Sequence, residues 1–244
     1  MQRRGLLIGS LAATALVLSG PALSGTRAAQ GAASRGAARR ARDWSATVTT
    51  SEEGYLVRGN PQATVRLVEY VSYSCPHCGI FEMQGGDELV ERFITPGLVS
   101  FEIRPFYLNE IDKTLSLIAY CGGPARFFGN TAFLLKRQHE WLRSPTRAQA
   151  QRWSVPDWLE RAKAMTEDLG LYTLMEQRGL RRAQIDRCLA DEALVARLQQ
   201  GTEDAFYMGG VKGTPTFRLN GELVPENVWP ALRERLSGIM KAFV

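Results

Sequence analysis

The spacing of apolar residues changes several times along this chain, and each change marks an element. From 64 to 71 the run TVRLVEYV is apolar and β-branched at most positions, which predicts a buried central strand. Helical spacing begins at Cys75-Pro76-His77-Cys78 and continues to about Ile94. Gly85 and Gly86 fall inside it, where a kink or weak point is expected. Residues 98–104 (LVSFEIR) read as a second strand. Strand, helix and strand form a βαβ unit, whose crossover is right-handed and whose strands are parallel.

Residues 110–209 then show helical periodicity with no strand pattern. Breaks fall at Gly122-Gly123-Pro124, Ser144-Pro145, Gly170 and Gly179. Extended structure returns at 215–219 (PTFRL), and Asn220-Gly221 is a strong hairpin signal leading into 222–224 (ELV). A last helix is predicted over 226–241, with Trp229, Leu232, Leu236 and Met240 on one face. The order is β-α-β, a helical block, then β-β-α. This is an α/β chain with one mixed sheet and a helical insertion between its halves.

The first forty residues change the picture of the whole. Arg3 and Arg4 precede an apolar stretch from Leu6 to Leu23, and small residues follow at 22–24 and 28–29. That is the layout of a cleaved export signal; a membrane anchor is the competing reading, diluted by Gly, Ser, Ala and Pro. The Arg3-Arg4 pair also allows a twin-arginine route. Residues 1–42 hold seven arginines and no acid, so the remainder carries 23 basic and 25 acidic side chains. The net charge of +5 therefore belongs to the N-terminus, and nothing in the body argues for nucleic acid. The expected divisions are a signal peptide at 1–28, a flexible extension at 29–54, a sheet domain's first half at 55–109, a helical insertion at 110–209, and the second half at 210–244.

Four cysteines in 244 residues are too few for a disulfide scaffold. A C-x-x-C that ends a strand and opens a helix is the setting of a redox-active dithiol. Pro76 suits the first helical position, which puts Cys75 at the N-cap. The unpaired N–H groups and the helix dipole there favour a Cys75 thiolate, the attacking species. His77 can add charge or a hydrogen bond, and Cys78, one turn further in, resolves the mixed disulfide. Stabilising the thiolate stabilises the reduced protein, so the disulfide becomes a stronger oxidant. A zinc half-site would need a second close pair of ligands, whereas Cys121, His139 and Cys188 are scattered. A static disulfide is the other alternative.

The stretches GNPQATVRLVEYVSYSCPHC (59–78) and VKGTPTFRLNG (211–221) resemble the DsbA-like branch of the thioredoxin superfamily, over roughly residues 55–243. The resemblance implies a thioredoxin fold with an inserted helical domain and no metal or organic cofactor. It implies that Thr214-Pro215 is a cis-proline loop that faces the cysteines and pairs with substrate backbone. It implies that Glu69, six positions before Cys75, is a buried acid that moves the proton of Cys78; a partly solvated strand glutamate is the plain alternative. Phe217, Phe206, Tyr207 and Met208 either line a surface for unfolded peptide or pack in the core, and for the last three core packing is expected. Many strongly oxidising members carry Val before the cis-proline and isomerases often carry Thr, while the short N-terminal extension leaves no room for the dimerisation domain of classical isomerases.

Cys121 and Cys188 form either a structural disulfide, which export favours, or two separate buried thiols. The functional expectation is a periplasmic protein disulfide oxidoreductase. It would act on unfolded or newly exported cysteine-containing proteins and be reoxidised by a membrane partner of DsbB type. The alternatives are an isomerase or reductase kept reduced by a DsbD-type partner, and a non-catalytic chaperone or metal-handling module.

Overall fold

A computed structural model describes residues 42–241. The expected signal peptide at 1–28 lies outside the described residues. Among the described residues, six strands form one sheet in the order β1-β2-β4-β3-β5-β6. They are β1 (Val48–Thr50), β2 (Leu56–Gly59), β3 (Val65–Val71), β4 (Val99–Pro105), β5 (Thr216–Leu219) and β6 (Glu222–Val224). Only β3 and β4 run parallel, in the register Val65↔Val99 to Val71↔Pro105. Every other pairing is antiparallel. This is the thioredoxin-like mixed sheet with added helices that the order of elements and the resemblance led us to expect.

Alternation along β3 assigns its two faces. Val65, Leu67, Glu69 and Val71 are buried on one face. Helix α1 (Pro76–Leu89) packs there beside α10 (Trp229–Lys241). Phe81 of α1 meets Phe217 of β5 at 4.7 Å between ring centroids and Trp229 at 5.9 Å. On the other face, Tyr70 packs with Phe106, Ala205 and Val211. The β5–β6 hairpin turns through Asn220 (φ 50°) and Gly221 (φ 93°), the paired positive φ values that Asn-Gly supplies to a tight hairpin.

Between β4 and β5 the chain forms eight helices. They are α2 (Glu110–Tyr120), α3 (Pro124–Lys136), α4 (Gln138–Trp141), α5 (Arg147–Arg152), α6 (Trp158–Asp168), α7 (Leu171–Glu176), α8 (Arg182–Leu189) and α9 (Glu192–Tyr207). Cys121, at the end of α2, is bonded to Cys188 of α8 across 67 residues. Among the described residues no helix is long and apolar enough to cross a membrane.

Several expectations need correction. The flexible extension at 29–54 is, from residue 42 onward, folded onto the sheet. β1 pairs with β2, the Trp44 N–H donates to the Thr95 carbonyl, and the Trp44 indole lies over Gly97, leaving no room there for a side chain. These two strands are three and four residues long and only partly buried, too short to write a clear period into the sequence. Gly85 and Gly86 do not interrupt α1. A Cβ at Gly85 would strike the Trp229 ring and one at Gly86 the Glu82 carboxyl, so both glycines make space in an unbroken helix. The last helix begins at Trp229, not 226, with Pro230 in its first turn. Phe217 is fully buried, while Phe206, Tyr207 and Met208 are exposed instead of packed in the core.

Candidate active site

β3 ends at Val71, and four residues later α1 begins with Pro76 at N1. Cys75 is the N-cap, in an extended conformation (φ −82°, ψ 117°), with no side-chain cap of the usual kind. Its sulfur therefore takes the place of a capping oxygen, beside the open N–H groups of the first turn. Cys75 and Cys78 are both free thiols and buried. The Thr214–Pro215 peptide is cis, and Cys75 Sγ lies 3.2 Å from the Thr214 carbonyl oxygen.

The two sulfurs differ sharply in acidity. Cys75 is pulled down to about 5. The Cys78 thiol donating to it contributes most, opposed by burial and reinforced by the Thr214 hydroxyl and the backbone N–H groups of Cys78 and His77. Only the protonated Cys75 can donate to the Thr214 carbonyl; the thiolate turns to these donors instead. Burial pushes Cys78 far upward, with the Cys75 sulfur and the Glu69 carboxyl adding to the push. One sulfur is thus an anion at neutral pH and the other a thiol, the division of labour that attack and resolution need. His77 is exposed, and its main-chain N–H is one of the donors to the Cys75 sulfur.

Glu69 lies on the α1 face of β3 and is 3% exposed, and its Oε1 has no hydrogen-bond partner. Burial, with the nearby Glu82 carboxyl second, raises it well above the usual carboxyl range. A neutral acid buried on the face that α1 covers, close enough to bear on Cys78, is a suitable proton donor to that sulfur. Glu82, on α1, is raised to about 7 by burial, partly offset by Lys136 at 3.7 Å.

Sequence reasoning missed the residues that hold the approach to Cys75. Asp112 of α2 is buried and accepts from the Ser72 and Ser74 hydroxyls and from the N–H of Ser74 (2.8 Å) and of Leu108 (2.9 Å). Gln138 of α4 donates to the carbonyls of Tyr73 (2.6 Å) and Cys75 (2.9 Å), and Gly79 leaves space for its amide. The Tyr73 hydroxyl meets Thr131 of α3 at 3.0 Å. Apart from the Leu108 contact, each link joins the loop 72–75 to a helix 38 to 65 residues away. Only the capping pattern Asn109 with Glu110 and Asp112 was visible locally.

A mixed sheet that presents a helix N-terminal C-x-x-C dithiol to a cis-proline loop defines a thioredoxin-fold thiol–disulfide exchange site. The chain belongs to the thioredoxin family: the family model described as "Thioredoxin" matches residues 51–239. A crystal structure of a protein-disulfide isomerase from Novosphingobium aromaticivorans superposes with a TM-score of 0.71 at 38% identity, covering 75% of this chain and 95% of that one. BdbD from Bacillus subtilis (18% identity, 82% of this chain and 99% of that one, TM-score 0.58) shares the fold. So does alpha-DsbA1 from Wolbachia pipientis (15% identity, 75% and 88%, TM-score 0.58). A Rickettsia bellii protein named "Putative protein-disulfide oxidoreductase" is 24% identical over 70% of this chain. The chain spans 54–58% of the length of the curated relatives it matches.

Proposed function

We propose that this protein is an exported oxidoreductase that introduces disulfides into cysteine-containing polypeptides. The observation that carries the reading is the placement of Cys75 Sγ at the N-terminus of α1, 3.2 Å from the Thr214 carbonyl oxygen of the cis-proline loop, a setting that pulls its thiol down to about 5. A substrate thiolate attacks Cys75 Sγ of the protein disulfide. The Cys75–Cys78 bond breaks, and Cys78 departs as a thiolate that takes a proton from Glu69. The substrate's second thiolate then attacks its own sulfur in the mixed disulfide, and Cys75 leaves as a stable anion. Two electrons pass from the substrate dithiol to the protein. Of the two substrate protons, one restores Glu69 and the other goes to water. A quinone-linked membrane partner of DsbB type would remove the electrons.

The periplasm is the proposed location. The charged, then apolar, then small-residue order of residues 1–28 supports it, as does the Cys121–Cys188 disulfide, a bond kept in oxidising compartments.

Equilibration of Cys75–Cys78 with a glutathione buffer tests the oxidase reading. A potential more positive than about −200 mV is expected, because a stabilised thiolate makes its disulfide oxidising. A value near about −270 mV, that of a dedicated reductant, would overturn it. A second reading, disulfide isomerase, is favoured by the likeness to the Novosphingobium aromaticivorans protein-disulfide isomerase at 38% identity and by Thr214 before the cis-proline. It predicts rescue of scrambled substrate by the reduced protein and no net oxidation of a reduced one.

A further inference from the structure

We propose that Arg218 is a positioning residue of the exchange site: its guanidinium grips both ends of the segment that carries the cis-proline and so sets Thr214 against Cys75. The inference rests on the oxidoreductase reading and adds a residue that touches neither sulfur.

β5 alternates between the two faces of the sheet. Phe217 and Leu219 are buried in the core that α1 covers. Arg218 lies between them, paired with Val68 of β3, and projects to the opposite face, where it is partly buried. Its Nε donates to the Tyr70 hydroxyl at 3.2 Å. Its Nη1 donates to the carbonyl of Gly221, three residues on, at 2.7 Å, and its Nη2 donates to the carbonyl of Gly209, nine residues back. One planar fork thus meets a phenol and two main-chain carbonyls at once, which a lysine ammonium on its single stem cannot reproduce. Gly209 directly follows the C-cap of α9, Met208, where a positive charge is also favoured by the helix dipole.

The segment between the two carbonyls needs such a grip. The β3–β5 ladder begins at Thr216, so it fixes the chain after the cis-proline and not before it. Ahead of it, Gly210 has a φ of +73° and Gly213 has open space about its Cα, so the loop has little stiffness of its own. The Val211 N–H donates to the Ala205 carbonyl at 2.9 Å and Lys212 donates to the Phe206 carbonyl at 2.8 Å, both ties to α9. The Arg218 fork instead ties the loop to Tyr70 in β3, the strand that leads to Cys75. At the far end of that strand's loop, Cys75 Sγ lies 3.2 Å from the Thr214 carbonyl, so a shift of the loop against β3 is a shift of Thr214 against the sulfur. The guanidinium borders a cavity of about 690 Å³ that Tyr55, Tyr70, Arg104 and Arg197 also line. Truncating it widens an open space and leaves no sealed void, so the fold should survive the loss.

The test is Arg218→Ala in the full-length protein, with two readouts. Ultraviolet titration of the reduced protein reads the Cys75 thiolate, and kcat/KM for oxidation of a cysteine-pair peptide reads the loop. The titration should move up by about one pH unit, because Thr214 is among the donors to the thiolate. The kcat/KM should fall at least about tenfold, the cost of a misplaced reacting group. Arg218→Lys keeps the stem and the charge but not the fork, and should show both changes in part; it replaces the alanine variant should that one fail to fold. Trp44→Ala loses its contacts with Thr95 and Gly97 at the other end of the sheet, and should lower the urea midpoint with the Cys75 titration unmoved. A folded Arg218 variant with either readout at its wild-type value would overturn the proposal. So would an equal titration shift in Trp44→Ala, since the effect would then be one of stability alone. Failure of the wild-type protein to oxidise the peptide would instead strike the oxidoreductase reading itself.

Discussion

Cys75 carries the largest consequence of any single residue. Its acidity near 5, against about 9 for the free thiol, makes the stability of the reduced protein depend on pH. The folded value is depressed, so the contribution is complete above pH 9 and is lost as pH falls through 5. At pH 7 it stabilises the reduced form by about 2–3 kcal/mol, an effect the disulfide form lacks. Urea unfolding of both forms from pH 4.5 to 8 should therefore show the reduced form gaining on the oxidised form as pH rises; a constant difference would refute the assignment. Glu69 has the opposite sign. Its raised value means its contribution is present below 4.5 and lost as pH climbs through the folded value. Glu69→Gln should gain stability over the wild type with rising pH, by roughly 1–3 kcal/mol at its limit. The same variant should form and release mixed disulfides at least about tenfold more slowly in stopped flow, because Cys78 loses its proton donor. The active sulfur was legible in the sequence because a helix start, a proline at N1 and C-x-x-C are all local. The burial of Glu69 was not, because the same alternation fits a strand with one wet face.

At the scale of elements, α1 shows how packing overrides propensity. Gly85→Ala would improve the helix by about 1 kcal/mol, but its methyl group would meet the Trp229 ring, and overpacking of that kind costs about 1–3 kcal/mol. The variant should therefore be less stable than the wild type in denaturant melts, with α10 loosened from α1. Gly86→Ala should be nearly neutral, because it displaces only the end of the flexible Glu82 side chain. A stabilised Gly85→Ala would show that Trp229 does not press on the helix. The glycines announced themselves in the sequence, but their meaning lay in a ring contributed by a helix more than 140 residues away. The loop before Cys75 teaches the same lesson. Its clamps, Asp112 and Gln138, belong to α2 and α4, so the helical block is part of the active site's frame.

For the whole molecule, the Cys121–Cys188 bond closes a loop of 67 residues inside the helical block. In the chain-entropy account such a closure is worth about 4 kcal/mol. Cys121→Ser/Cys188→Ser should lower the urea midpoint accordingly, and an unchanged midpoint would mean that the helices hold without the bond. The sheet is also wider than its thioredoxin-like centre. β2 covers the edge of β4 and β1 covers β2, so the segment before residue 60 shields an edge that would otherwise be open to other chains.

By itself the sequence determined the order of elements, the Asn-Gly hairpin, the helix that opens at Cys75 and the pair of sulfurs at its start. These are decided by neighbours in the chain, through φ preferences, hydrophobic period and unsatisfied N–H groups. The tertiary structure decided how far the two acidities diverge, because the burial of Cys78, the Glu69 carboxyl and the Thr214 loop come from distant parts of the chain. It alone also turned Phe217 inward and Phe206, Tyr207 and Met208 outward. An apolar residue reports a preference for burial, but whether space exists for it depends on surfaces assembled from distant parts of the chain.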